Sequence, residues 1–368
     1  MQLAARFFRV FSPSSRLSST RIEPHNIKNI LWIRLDHIGD VVMSLPSLQL
    51  LREGFPDAQI DVVVRPACAP LFDDLTIVNR VLVYDSPRFP QRGRGAGLFR
   101  TLQFMRKLRR AHYDVAIESR GDDIARFLCW SSKAAIRIGP DRIFYEEPDA
   151  PNFRFLMTHI APIANKPIHA VQANAQTLQP LSQNRVLDSV APFRFPLLDA
   201  RRERVQKLLK ARAVKRPFAV LHPCSNDAKR NWTTEGWTQI SDFLIEEYDF
   251  DIVLSGLARD REAHRKIIER VKNAARLYDF AGLISLSDLA AFFSETSLLV
   301  TVDTGPMHIA ASVGTPIVAL FLPYLASRHA PFEQENSVVL PPQTNNEYSI
   351  SDIEVGDVTR AIARKLET

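Results

Sequence analysis

Cysteine is scarce in this chain of 368 residues. Its three cysteines, Cys68, Cys129 and Cys224, are scattered and odd in number. They form no metal-spaced cluster, and free thiols in a reducing compartment are the simple reading. No run of about 18 apolar residues occurs, which excludes a transmembrane helix. Gly-x-x-x-x-Gly-Lys-Ser/Thr is missing, so the chain is not a P-loop nucleotidase. A Ser-centred nucleophile elbow and a His-Glu-x-x-His zinc motif are missing as well. The interleaving of aromatic and basic residues that marks nucleic-acid modules is also lacking, and no nucleic-acid partner is expected. Acid is absent from the first 22 residues, where Glu23 is the first carboxylate to follow.

What remains is an ordinary globular composition, 46% hydrophobic and 24% charged, long enough to favour two domains over one. The net charge of +6 points to acidic partners, with anionic lipid or a phosphorylated substrate ahead of nucleic acid. Residues 1–27 read as a basic tail with Arg6, Arg9, Arg16 and Arg21. Leu3, Phe7, Val10 and Phe11 recur there at helical spacing. Three readings stay open: an amphipathic helix on an anionic membrane surface, an organellar transit peptide, or a disordered tail.

From Ile30 onward strand and helix alternate. Apolar runs predict strands at 30–35, 60–64, 81–84, 115–118 and 136–139. Helices are expected over 41–53, kinked at Pro46, and over 98–111, which is rich in Arg and Lys. Residues 86–97 carry Pro, Gly and Arg and read as a loop. The stretch from Ala191 to Pro196 breaks the alternation and reads as a linker. The pattern then restarts, with strands at 218–222, 251–255, 277–280 and 297–302, and an apolar run at 317–321. Helices are expected over 234–247, 259–275, 287–294 and 307–313. A final helix over 351–367 is expected to pack back on the first half. The implied fold is α/β, with a parallel, doubly wound sheet in each of two tandem halves flanking a cleft. The halves are set at 28–192 and 200–368.

Three constellations carry the chemistry. Arg34-Leu35-Asp36-His37-Ile38-Gly39-Asp40 follows the first strand and opens the first helix. Asp40 there is either a helix cap or a carboxylate able to act as a base. The second runs from His222 to Trp232 after the first strand of the second half. Its small polar residues, Ser225 among them, precede Lys229 and Arg230. The two cations suit phosphate oxygens, or belong to a solvated loop. The third is Asp303-Thr304-Gly305 with His308, a strand, a tight turn and a helix start at Pro306. Free N–H groups and the helix dipole make such a turn an anion site, and a phosphate or diphosphate is the expected ligand. His308 alone would read as a core residue; the convergence of two such turns at strand ends favours the functional reading.

In this order, Ile-Arg-Leu-Asp-His-Ile-Gly-Asp, Lys-Arg-Asn-Trp-Thr-Thr-Glu-Gly-Trp and Asp-Thr-Gly-Pro-Met-His resemble glycosyltransferase family 9. These are the ADP-heptose:lipopolysaccharide heptosyltransferases and their relatives. The resemblance runs from about Lys28 to the C-terminus. It implies a GT-B fold of two Rossmann-like domains, the first holding the acceptor and the second the nucleotide-sugar. It implies an inverting, metal-independent transfer with no cofactor, from a nucleotide-sugar such as ADP-heptose to a lipopolysaccharide core or similar lipid-linked glycan. Asp40 matches the family's proposed base. Asp303, Thr304, Gly305 and His308 match its donor turn, with Ser225 and either Lys229 or Arg230 at the phosphates. Arg120, Arg126, Arg137 and Arg142 are candidates for the negative groups of the acceptor, against solvated surface charge. The chain departs from the family where Thr233 replaces the proline after Trp232. It departs again where Ala258 replaces a glutamate that some heptosyltransferases carry. The expected location is cytoplasmic, either free or peripheral on the inner face of the cytoplasmic membrane. A sugar-nucleotide epimerase of the same fold and a non-catalytic binder of anionic glycan or nucleic acid are the rival readings.

Overall fold

The computed structural model describes residues 22, 27–85, 97–141, 153–163, 168–182, 190–343 and 348–367. The chain divides into two compact units, Met1–Ala191 and Pro192–Thr368. The basic tail, most of the 86–97 loop and Arg142 lie outside the described residues.

In the first unit the strands are β1 (Asn29–Arg34), β2 (Gln59–Val64), β3 (Arg80–Val83), β4 (Val115–Glu118), β5 (Ile136–Pro140) and β6 (His159–Ala161). They form one sheet in the order β3-β2-β1-β4-β5-β6, with every recorded pairing parallel. Apolar residues fill both faces of the central strands, as a parallel sheet covered on both sides demands. Ile30 of β1, for example, is fully buried between Ile60 and Val115. The helices are α1 (Ile38–Val42), α2 (Leu45–Gly54), α3 (Leu98–Arg110), α4 (Asp123–Ser131) and α5 (Ala170–Gln176).

The expected kink at Pro46 is a full break. Proline has no N–H to donate to the previous turn, so the helix ends at Val42 and restarts with Pro46 in its first turn. The Ser44 hydroxyl donates to the Val41 carbonyl at 2.7 Å and seals the joint.

The second unit holds α6 (Asp199–Ala211), β7 (Phe218–His222), α7 (Thr234–Tyr248), β8 (Asp251–Leu254), α8 (Arg261–Ile268), β9 (Leu277–Asp279) and α9 (Leu289–Ser294). It continues with β10 (Leu298–Val302), α10 (Gly305–Ser312), β11 (Ile317–Leu320), α11 (Pro323–His329), β12 (Val338–Val339) and α12 (Val355–Leu366). Its sheet order is β12-β11-β10-β7-β8-β9, again with parallel pairings. Read from the other edge, this order repeats that of the first unit. Helix α8 stops earlier than expected, at Ile268, because Val271 turns into the core and the Lys272 N–H is taken by Asp242. The final helix, expected to pack back on the first half, has its apolar side in the second unit. Val358, Ala361 and Ile362 bury it in the second unit's own core, beside Leu320 and Leu244.

In both sheets the strand order reverses direction between two central neighbours, β1 and β4 in the first and β7 and β10 in the second. Loops leaving the carboxyl ends of such neighbours diverge and open a crevice, the place where doubly wound sheets bind ligands. All three sequence constellations leave these strands: one follows β1, one β7 and one β10.

Candidate functional site

At the end of β1 the chain buries a charge. Arg34 is 2% exposed. One of its terminal nitrogens, Nη1, donates to the Ser119 carbonyl at 2.5 Å, the Ser119 hydroxyl at 3.1 Å and Asn174 Oδ1 at 2.9 Å. Its Nε lies 2.8 Å from Asp36 Oδ2, and its Nη2 lies 3.8 Å from Asp40 Oδ1. Arg120 pairs with the other oxygen of Asp36. Asn174 donates on to the Met43 carbonyl at 3.2 Å, between α1 and α2. One guanidinium thus ties the ends of β1 and β4 to the helix break and to α5. The side chain of Asp36 is 3% exposed and that of Asp40 is 20% exposed. Asp40 is therefore the carboxylate of this network that meets solvent. It does not cap α1: the N-cap position is His37, and Asp40 stands in the first turn.

The four arginines expected at the acceptor fare differently. Arg126 is fully buried with Glu118, its Nε donating to Glu118 Oε1 at 2.9 Å and its Nη2 to the Pro140 carbonyl at 2.5 Å. It is an internal strut, which replaces the expectation of a surface cation. Burial pushes the Glu118 carboxyl up from its ordinary range, and the charge of Arg126 works against that shift. The N–H groups of Gly121 at 2.6 Å and Arg120 at 3.1 Å hold Glu118 Oε2. Gly139 is a condition of this arrangement, since a Cβ there would stand 2.5 Å from Glu118 Oε1. Arg137 is half-buried and donates to the Leu156 and Ala134 carbonyls, each at 2.7 Å. Arg120 is engaged with Asp36. Arg142 lies outside the described residues.

In the second unit the β7 loop folds on itself. The Ser225 N–H donates to Asn231 Oδ1 at 2.7 Å, the Asp227 N–H to Ser225 Oγ at 3.3 Å, and the Lys229 N–H to Asp227 Oδ1 at 3.1 Å. This leaves the neighbouring cations in different states. Arg230 Nη1 donates to Asp303 Oδ2 at 2.8 Å, and its Nε lies 3.5 Å from Asp227 Oδ2. Lys229 is exposed, and no ion pair engages its ammonium among the described residues. Trp232 anchors the loop by donating from Nε1 to the Ile353 carbonyl at 3.0 Å. Across the crevice, Thr304 is the N-cap of α10, with its hydroxyl 3.2 Å from that of Thr301. That hydroxyl makes no cap bond to the helix. His308 is buried one turn into α10.

Two histidines stand beside this crevice: half-buried His222, which heads the second constellation, and fully buried His264, which the sequence reading did not single out. His222 Nδ1 lies 2.9 Å from the Ser255 hydroxyl, and His264 Nδ1 lies 2.6 Å from Asp279 Oδ1. Burial first, and then the nearby His264, push His222 down to about 4. Gly256 sits over this cluster, where a Cβ would meet Asp260 Oδ2 at 2.8 Å and His264 Nε2 at 3.2 Å. Ala258 backs onto Gly282, whose φ is +73°.

Comparison with known proteins now decides the family. The model of "Glycosyltransferase family 9 (heptosyltransferase)" matches residues 101–354, more than half of the chain. The chain belongs to glycosyltransferase family 9. It is 24% identical to lipopolysaccharide heptosyltransferase 3 of Escherichia coli K12 over 288 residues, 77% of this chain and 79% of that one. Among solved structures, a glycosyl transferase family 9 protein from Veillonella parvula superposes with a TM-score of 0.77 at 19% identity, covering 95% of this chain and 99% of the other. The E. coli ADP-heptose lps heptosyltransferase II gives 0.72 at 20% identity, covering 92% and 98%. The fold of this family 9 glycosyltransferase is therefore GT-B, as the sequence motifs implied. Among the described residues no helix is long and apolar enough to cross a membrane.

Proposed function

We propose that this glycosyltransferase moves a heptose-class sugar from a nucleotide-sugar, with ADP-heptose the first donor to test, to a lipopolysaccharide-type core or similar lipid-linked acceptor. The names of its relatives support the donor and acceptor classes. The transfer is read as inverting. Asp40 takes the proton of the acceptor hydroxyl, whose oxygen attacks the anomeric carbon. The bond from that carbon to the diphosphate oxygen breaks, and its electron pair stays on the departing nucleoside diphosphate. Lys229 and the N–H groups at the start of α10 offset the charge that develops there, without a divalent cation.

The observation that carries this reading is the Arg230–Asp303 pair at 2.8 Å. It joins the β7 and β10 loops into one platform and occupies the arginine. Lys229 then becomes the better phosphate cation of the two, and Arg230 the residue that positions the turn. Chromatography of products from ADP-heptose, with and without a core acceptor and with and without EDTA, tests the proposal. Glycosylated acceptor and free ADP are expected in both EDTA arms. An altered nucleotide-sugar formed without acceptor would instead make the protein an epimerase.

A further inference from the structure

The outward side of α3 is not used by the chemistry above. This helix, Leu98–Arg110, carries no acidic residue. Its inward side buries Met105 and Leu108 in the first unit's core. Its outward side leaves Phe99 69% exposed and Leu102 43% exposed, among exposed Arg100, Arg106, Lys107 and Arg110. Phe99, Arg106 and Arg110 recur at i, i+7 and i+11 and so share one stripe, with Leu102 and Lys107 on its two flanks. Between this stripe and edge strand β3 lies a cavity of about 490 Å³, lined by Arg80, Gln103, Arg106, Lys107, Arg110 and Ala111. Arg80 is already paired with Asp61 at 2.6 Å. No carboxylate among the described residues pairs with Arg100, Arg106, Lys107 or Arg110.

Two costs coincide on this face. An exposed aromatic ring and a leucine keep apolar surface in water, and a cluster of unpaired cations repels itself. An anionic bilayer relieves both at once. Its headgroup phosphates meet the cations, and its acyl boundary takes up the rings and methyls. A purely ionic partner such as a nucleic acid would leave Phe99 and Leu102 unexplained. We infer that the outward face of α3 docks on an anionic bilayer surface and holds the first unit against it. The inference rests on the lipid-linked acceptor only for its purpose, since its test needs no turnover.

The test is flotation of the full chain with vesicles of phosphatidylglycerol and phosphatidylcholine in equal parts, against vesicles of phosphatidylcholine alone. The full chain should float with the mixed vesicles only. Arg106→Gln, Lys107→Gln and Arg110→Gln together should lower partitioning by on the order of a hundredfold, at about fivefold for each lost charge. Phe99→Ser with Leu102→Ser should abolish the part of the binding that resists high salt. All five side chains are exposed, so melting should stay unchanged and is measured alongside. Wild-type flotation by both folded variants overturns the proposal. Binding lost only on deletion of residues 1–22 overturns it too, by assigning the membrane to the tail. Equal retention by an acidic polymer, indifferent to Phe99 and Leu102, assigns the face to another partner and also overturns it. Failure of sugar transfer in the unaltered chain would strike at the proposed function and leave this result standing.

Discussion

Replacing Arg126 with methionine removes one half of a buried ion pair and leaves the other half in place. Arg126 and Glu118 are each 0% exposed at the side chain. Losing one partner of such a pair costs about 3–5 kcal/mol, because the remaining charge stays buried without compensation. At about 2–4 °C per kcal/mol for a unit of this size, the first unit should melt roughly 6–20 °C lower. Glu118 keeps the Gly121 and Arg120 N–H groups but loses its cation. Its carboxyl, already raised by burial, must rise further. The folded state then holds a proton that the unfolded chain releases, so stability falls as pH rises above the ordinary carboxylate range. The deficit should accordingly be larger in mildly alkaline than in mildly acidic buffer. Adding Glu118→Gln should restore much of the loss, since no buried charge is left unpaired. Differential scanning calorimetry across pH measures all three effects, and acceptor kinetics on the folded fraction supply the control. Normal melting with a selectively raised KM for the acceptor would refute the reasoning and return Arg126 to the acceptor surface.

Other residues make their own claims. Asp40→Asn should cut turnover by about a hundredfold or more while nucleotide binding, read by calorimetry, stays near normal; full turnover would dismiss it as the base. Lys229→Ala should weaken ADP binding by about 2 kcal/mol with no change in melting. Arg230→Ala should also lower melting, because buried Asp303 loses this ion pair; the opposite pattern would exchange their roles. His222 is pushed down to about 4, so the unfolded chain takes up its proton first as pH falls below the ordinary value of about 6.5. The second unit should lose stability between those two values. His222→Gln should flatten that slope, and an unchanged slope in thermal melts would place its origin elsewhere.

Much of the architecture was legible because it is encoded locally. Apolar runs of strand length and helical periods lie in consecutive residues, so the parallel α/β plan followed from spacing alone. The motifs after β1, β7 and β10 were legible for a similar reason, since glycine, proline and small polar residues punctuate strand ends wherever they occur. The fate of each charge was not. Arg34 meets Ser119 and Asn174, 85 and 140 residues away in sequence. Arg126 meets the end of its own preceding strand rather than solvent, and Arg230 reaches Asp303 across 73 residues. The final helix was legible as a helix, yet its sequence could not say which core would receive it. Local sequence determined which elements form and where the loops leave them. Strand order decided which charges become neighbours, and the cost of burying an unpaired charge decided which became struts and which, like Asp40 and Lys229, stayed open to solvent.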